Sequence, residues 1–168
     1  MQGKTELVEL LQEFYRDKLA VLLAHDAGSP LIPQYDINNA YQYILNRDET
    51  HLSWLSQAIV ELGGRVEEDA GGPPVRKVAG KRKDAFRAIL EEDARDAQAF
   101  VDRWRPRVGA MANARHRRML DVILGETLEQ KRFFDLIGVG RDDLLGRRAN
   151  GPGSPGTGDG VMAVRWIE

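Results

Sequence analysis

Residues 63–83 read GGRVEEDAGGPPVRKVAGKRK, and this stretch decides the topology. Its glycine, proline and charge are the composition of a connection, not of a packed element. Extended at roughly 3.3 Å per residue, about 20 residues run the length of a ~40 Å helix. The other two breaks are short: AGSPLIP at 27–33, and the region of Pro106 and Gly109. Short connections join antiparallel neighbours. Short, long, short predicts an all-α four-helix bundle with one long crossover, its second and third helices parallel. A functional lid is the rival reading of the long stretch.

The apolar spacing on either side is helical. Thr5 is a candidate cap for the first helix, which turns Leu7, Leu11, Phe14 and Leu22 to one face. The second runs from about Asp36 to Leu62 on Ile44, Leu55 and Ile59, and Gly63-Gly64 stops it. The third begins near Asp84 and carries Phe86, Ala97, Phe100 and Trp104. The fourth spans about Ala110 to Ile137 on Met119, Ile123 and Phe133.

With 168 residues, one domain is the default and a core is affordable without covalent staples. There is no cysteine, which removes disulfides, thiolate catalysis and cysteine-bound clusters and fits the cytoplasm. A formal net charge of -2 with dispersed Lys and Arg marks no nucleic-acid footprint. No apolar run approaches the ~20 residues of a membrane span, and the first residues do not pattern as a signal peptide.

Each apolar stripe nevertheless carries an ionisable residue. Placing residues at about 100° intervals puts Lys18 at the centre of the first helix's stripe. Asp48 and His51, in NRDETHLSWL (46–55), flank the centre of the second. Asp93 lies on the third, and Glu126 and Gln130 lie on the fourth. At ~1.5 Å per residue, Lys18 is roughly 12 Å from the end of its helix. Asp48 is roughly 18 Å and Asp93 roughly 14 Å into theirs, and Glu126 is roughly 17 Å before the end of its own. In the crossover topology these are heights above one end of the bundle, so the residues share a layer. Buried charges need a partner or a metal, and a layer of Asp, His, Asp and Glu is a donor set for a hard divalent ion.

A one-crossover bundle with inward carboxylates and an acid-x-x-His on its second helix resembles the ferritin-like superfamily. DETH followed by LSWLSQAIVELGG looks like the second helix of its small bacterial members. The resemblance covers roughly residues 5–138. It implies two iron or manganese ions and oxygen or peroxide chemistry, or iron storage. Carried over, Asp48 stands for the second-helix Glu, His51 for its His, Asp93 for the third-helix carboxylate and Glu126 for the fourth-helix Glu. Glu129 stands where the fourth helix would have its second His, and Lys18 stands where the first helix would have its Glu.

Three arrangements of this layer are open. Lys18 pairs with Asp48, Asp93 and Glu126 in place of metal; or His51 holds one metal with a neighbouring carboxylate; or a dimetal centre survives. No cofactor is favoured, with iron or manganese as the alternative. His25 and His116 read as histidines away from the layer, and Tyr41 and Tyr43 as core or rim aromatics. The functional classes are a binding or assembly module and a metal-dependent redox protein.

Residues 1–148 form the expected bundle, GRDDLLGRR (140–148) adding a further helical turn or two, and ANGPGSPGTGDG (149–160) a flexible linker. VMAVRWIE (161–168) is an apolar tail, a candidate docking peptide for the bundle, a second copy of the chain or another protein. A homodimer or higher homo-oligomer is expected, with no nucleic-acid or membrane partner.

Overall fold

The computed structural model describes residues 3–66, 74–76 and 82–141. The expected linker and tail, and most of GRDDLLGRR, lie outside the described residues. Four helices form: α1 (Lys4–Gly28), α2 (Tyr35–Glu61), α3 (Arg82–Gly109) and α4 (Ala114–Gly138). A short 3-10 turn, Ser29–Leu31, leads from α1 toward α2. No strand occurs among the described residues, and no described helix is long and apolar enough to cross a membrane.

The topology follows from which helices touch. α1 packs along α2 and α3 along α4, while α1 also meets α3 and α2 meets α4. Side-chain contacts fix the directions. Glu13, early in α1, bonds Arg107 at the end of α3, and Glu61, at the end of α2, pairs with Arg115 at the start of α4. At the opposite end His25 of α1, Tyr41 of α2 and Phe134 of α4 group together. α2 and α3 therefore run the same way, so the end of α2 and the start of α3 lie at opposite ends of the bundle. This is the crossover expected from residues 63–83.

The helix ends correct the expected boundaries in detail. Glu6 accepts the Gly3 backbone N–H, so α1 starts one residue before Thr5. Gly63 takes φ +78°, and the Gly63 and Gly64 N–H groups satisfy the last carbonyls of α2 at Val60 and Ile59. α3 continues through Pro106 to Gly109, since a proline so close to the end forfeits little of the hydrogen-bond ladder. α4 starts at Ala114 rather than Ala110 because Asn113 caps it, accepting from the His116 N–H at 3.1 Å.

The core is in two parts. The larger one sits at the end where α1 begins, around Leu11, Phe14, Leu55, Trp104 and Ile123. Phe14 meets Trp104 edge-on at 4.7 Å, and the indole N–H of Trp104 donates to Asp17 at 2.8 Å. The smaller core holds Ile37, Tyr41, Ile44, Leu90 and Phe134 at the other end. Buried polar side chains lie between the two.

Candidate functional site: a buried ion-pair layer

Asp48 is the centre of this layer and is wholly buried. Its Oδ1 accepts from Lys18 Nζ at 2.6 Å and from Gln130 Nε2 at 2.7 Å. Its Oδ2 accepts from His25 Nδ1 at 2.8 Å. Two helices, α1 and α4, thus converge on one carboxylate from α2. Burial by itself would raise the Asp48 carboxyl, but Lys18 and His25 outweigh it and hold the group well below the usual carboxylate range. Asp48 is an anion locked by three donors.

His51 stands one turn further along α2, also wholly buried. Its Nδ1 is 3.9 Å from Asp48 Oδ1, too far for a hydrogen bond. Its Nε2 bonds Glu126 Oε2 of α4 at 2.7 Å. Burial and the Lys18 charge push His51 down to about 4, so the ring is neutral at pH 7 and donates through Nε2. Glu126 is 30% exposed and is gripped by Arg47, at 2.5 Å between NH2 and Oε1. Burial opposes the charge on Glu126, and the hydrogen bonds from Arg47 and His51 nonetheless lower it.

Asp93 belongs to a separate cluster nearer the second core. It is buried, accepts from the Tyr41 hydroxyl at 2.5 Å, and pairs with Arg76 from the crossover connection. Burial first, then the Asp93 charge, raise Tyr41 far above a free phenol, so it stays protonated and donates. Gly28 admits the Arg76 guanidinium: a Cβ there would lie 2.8 Å from NH1.

Every residue expected in the layer except Glu129 lies inside the bundle or at its rim, in a different arrangement from the single Lys18-centred cluster. Lys18 reaches Asp48 alone; Asp93 and Glu126 have arginines of their own. Glu129 is exposed and lies 4.0 Å from Arg132. One position further on, Gln130 takes the inward place that the carry-over gave to Glu129, because the stripe through Ile123 and Phe134 favours it. His25 corrects the expectation that it lies away from the layer: α1 continues to Gly28, and seven residues bring His25 back to the face of Lys18. Tyr41 is a core aromatic with a polar task. Arg76 carried no sequence signal, being one of several cations in a charged connection.

These residues do not fit a dimetal centre of the ferritin-like kind. Asp48 Oδ1 already meets the Lys18 ammonium, Asp93 the Arg76 guanidinium and Glu126 the Arg47 guanidinium. A metal would have to displace a cation from each carboxylate. Among the described residues no group of three or more His, Asp or Glu side chains is disposed to hold a metal ion.

No protein-family model matches the chain, and no curated protein matches it.

Proposed function

We propose that this chain is a ferritin-like bundle in which ion pairs occupy the layer where that superfamily holds its metals, and that it works as a cytoplasmic binding or assembly module. The observation that carries the reading is the 2.6 Å contact between Lys18 Nζ and Asp48 Oδ1, both fully buried. An ammonium at the centre of the layer supplies positive charge that a metal would otherwise bring, and it does so without an open coordination position. The test is metal analysis of protein purified without chelator, alongside Lys18→Glu. The parent carries little iron or manganese, and the variant binds either ion more tightly. Tightly held stoichiometric metal in the parent overturns the reading.

A redox reading with one metal at the same layer has an observation of its own. His51 Nδ1 and Gln130 Oε1 are buried acceptors with no hydrogen-bond partner among the described residues, and both side chains adjoin Asp48. Iron or manganese there would use His51 and Asp48 once Lys18 swung aside, and the same metal analysis separates the two readings.

The assembly role rests on the tail. Val161, Val164, Trp166 and Ile167 follow a Gly/Pro/Ser-rich tether and offer apolar groups worth roughly 1.5–3 kcal/mol each when buried. Docking on the bundle or on a second copy, as a homodimer or larger assembly, makes deletion of residues 149–168 change mass or thermal stability. If neither changes, the tail serves an outside protein.

A further inference from the structure

Among the described residues, every exposed large apolar side chain on the four helices belongs to α2 or α4, and α1 and α3 have none. Tyr43 at 43%, Trp54 at 36% and Val122 at 44% exposed line the outside of the α2–α4 seam. Tyr43 meets Phe133 of α4 edge-on at 6.3 Å. Arg47 grips Glu126 and lies 5.7 Å from the centre of the Trp54 ring. Trp54 and Met119 wall one cleft of about 230 Å³. Val122 shares a face of α4 with Met119 and Glu126, three and four residues away. Glu61 pairs with Arg115 at 3.2 Å. Half-exposed aromatics, Met and Arg are the side chains enriched where proteins meet. The α1–α3 seam instead shows solvent Glu13, Arg103 and Arg107.

The pairing across the α2–α4 seam says what covers it. Going along α2, each residue stands beside its complement on α4: Tyr43 beside Phe133, Arg47 beside Glu126, Trp54 beside Met119, Glu61 beside Arg115. A two-fold axis parallel to the seam lays α2 of one copy over α4 of the other with heights kept. Each of those pairings is then repeated between copies, aromatic on aromatic and cation on anion. Arg47 and Arg115 balance Glu61 and Glu126, so the face meets its own copy without net repulsion. Helices of 27 and 25 residues, each about 10 Å across, give a face on the order of 800 Å² per copy, the standard size of a stable interface. We propose that the chain forms a homodimer through this face, α2 of each copy packed on α4 of the other. The dimer rests on the reading of the chain as an assembly module, but it uses a surface of the bundle, not the tail.

The test is the mass of the full chain at micromolar concentration, by sedimentation equilibrium. The parent is a dimer. Val122→Glu, at an exposed helical position, weakens it at least about tenfold, because a two-fold interface receives each substitution twice, and leaves the helical circular dichroism unchanged. Ala20→Glu, exposed on α1 beside the other seam, leaves the mass unchanged. Thr50 of α2 lies about 4.5 Å beyond Arg47, and Val122 of antiparallel α4 about 6 Å beyond Glu126, so the two share a height. Thr50→Lys mixed with Val122→Glu therefore restores a mixed dimer, the introduced ammonium facing the introduced carboxylate. A monomeric parent overturns the proposal, as does a dimer that survives Val122→Glu or a mixture that stays apart. A dimer that survives Val122→Glu but dissolves on deletion of residues 149–168 assembles through its tail, so the assembly reading then stands without this face. None of these outcomes alters the metal analysis.

Discussion

Replacing Lys18 with methionine removes the ammonium and keeps most of the aliphatic stem. Asp48 is then left as a fully buried carboxylate whose nearest cation is gone. Removing one partner of a buried pair costs about 3–5 kcal/mol, most of it the penalty on the charge that stays behind. Asp48 keeps two donors, His25 at 2.8 Å and Gln130 at 2.7 Å, which places the expected loss near ~3 kcal/mol. For a chain of this size that corresponds to a fall in melting temperature of roughly 10 °C. Asp48→Asn alone costs a similar amount by stranding the ammonium. The double variant strands neither charge, so its loss falls short of the sum of the two by about 2 kcal/mol or more. Urea denaturation at pH 7 of the parent, both single variants and the double gives the coupling directly. Losses that add to within about 0.5 kcal/mol would refute the pair as an energetic unit, as would a Lys18→Met loss below about 1 kcal/mol.

His51 makes stability depend on pH in mild acid. The unfolded ring takes a proton below about 6.5, whereas the folded ring resists until about 4, so stability falls as pH drops through that window. The loss reaches about 2 kcal/mol by pH 5, and it is seen as falling urea midpoints from pH 7 to 5 that flatten in His51→Gln. A parent and variant with equal slopes would show that the ring is not held neutral. At the other end of α2, a Cβ on Gly64 would lie 2.7 Å from Val8 Cγ1 and 2.9 Å from Ile59 Cγ2. Gly64→Ala should therefore cost about 1–3 kcal/mol by overpacking the α1–α2 contact, again read from urea midpoints, and a cost near zero would mean the turn relaxes freely.

Periodicity and breaks made the helices and their order legible, because both follow from local chemistry: apolar stripes set the faces, and 63–83 is too long to join neighbours. The inward placement of Lys18, Asp48, His51 and Asp93 was legible for the same reason. Partnership was not. A stripe tells that a side chain points inward, but not which of several inward cations it meets. Asp93 met Arg76, a residue of the connection with no period to mark it. Glu126 met Arg47, which lies 24% exposed at the rim, off the stripe used to find the layer. His25 was misplaced because its helix runs two residues further than the break at 27–33 suggested, and Glu129 because spacing borrowed from a resemblance overrode the better inward angle of Gln130. Pairing is a tertiary fact, and the sequence carries it only where geometry leaves one candidate.

The arrangement also bears on why the layer persists as polar. An apolar core through the whole bundle would permit the two hairpins to slide along α1–α3 and α2–α4, the seams where packing is sparser. A locked carboxylate changes that. Asp48 takes Lys18 and His25 from its own hairpin and Gln130 from α4, so a one-turn slip of either hairpin deprives a buried anion of its one donor across the α2–α4 seam. Glu126 and Arg47 pin the α2–α4 seam at nearly the same height, and Glu13 with Arg103 and Arg107 pins the α1–α3 seam nearer the end. Register is therefore fixed by a few charged contacts between two dry cores, a use of buried polar groups that trades stability for uniqueness. On this argument, replacing Lys18, His25, Asp48 and Gln130 together by apolar residues of similar volume leaves a bundle at least as stable to urea. Its amide NMR spectrum should show line broadening along the α2–α4 seam, and a single sharp set of resonances would refute the register role.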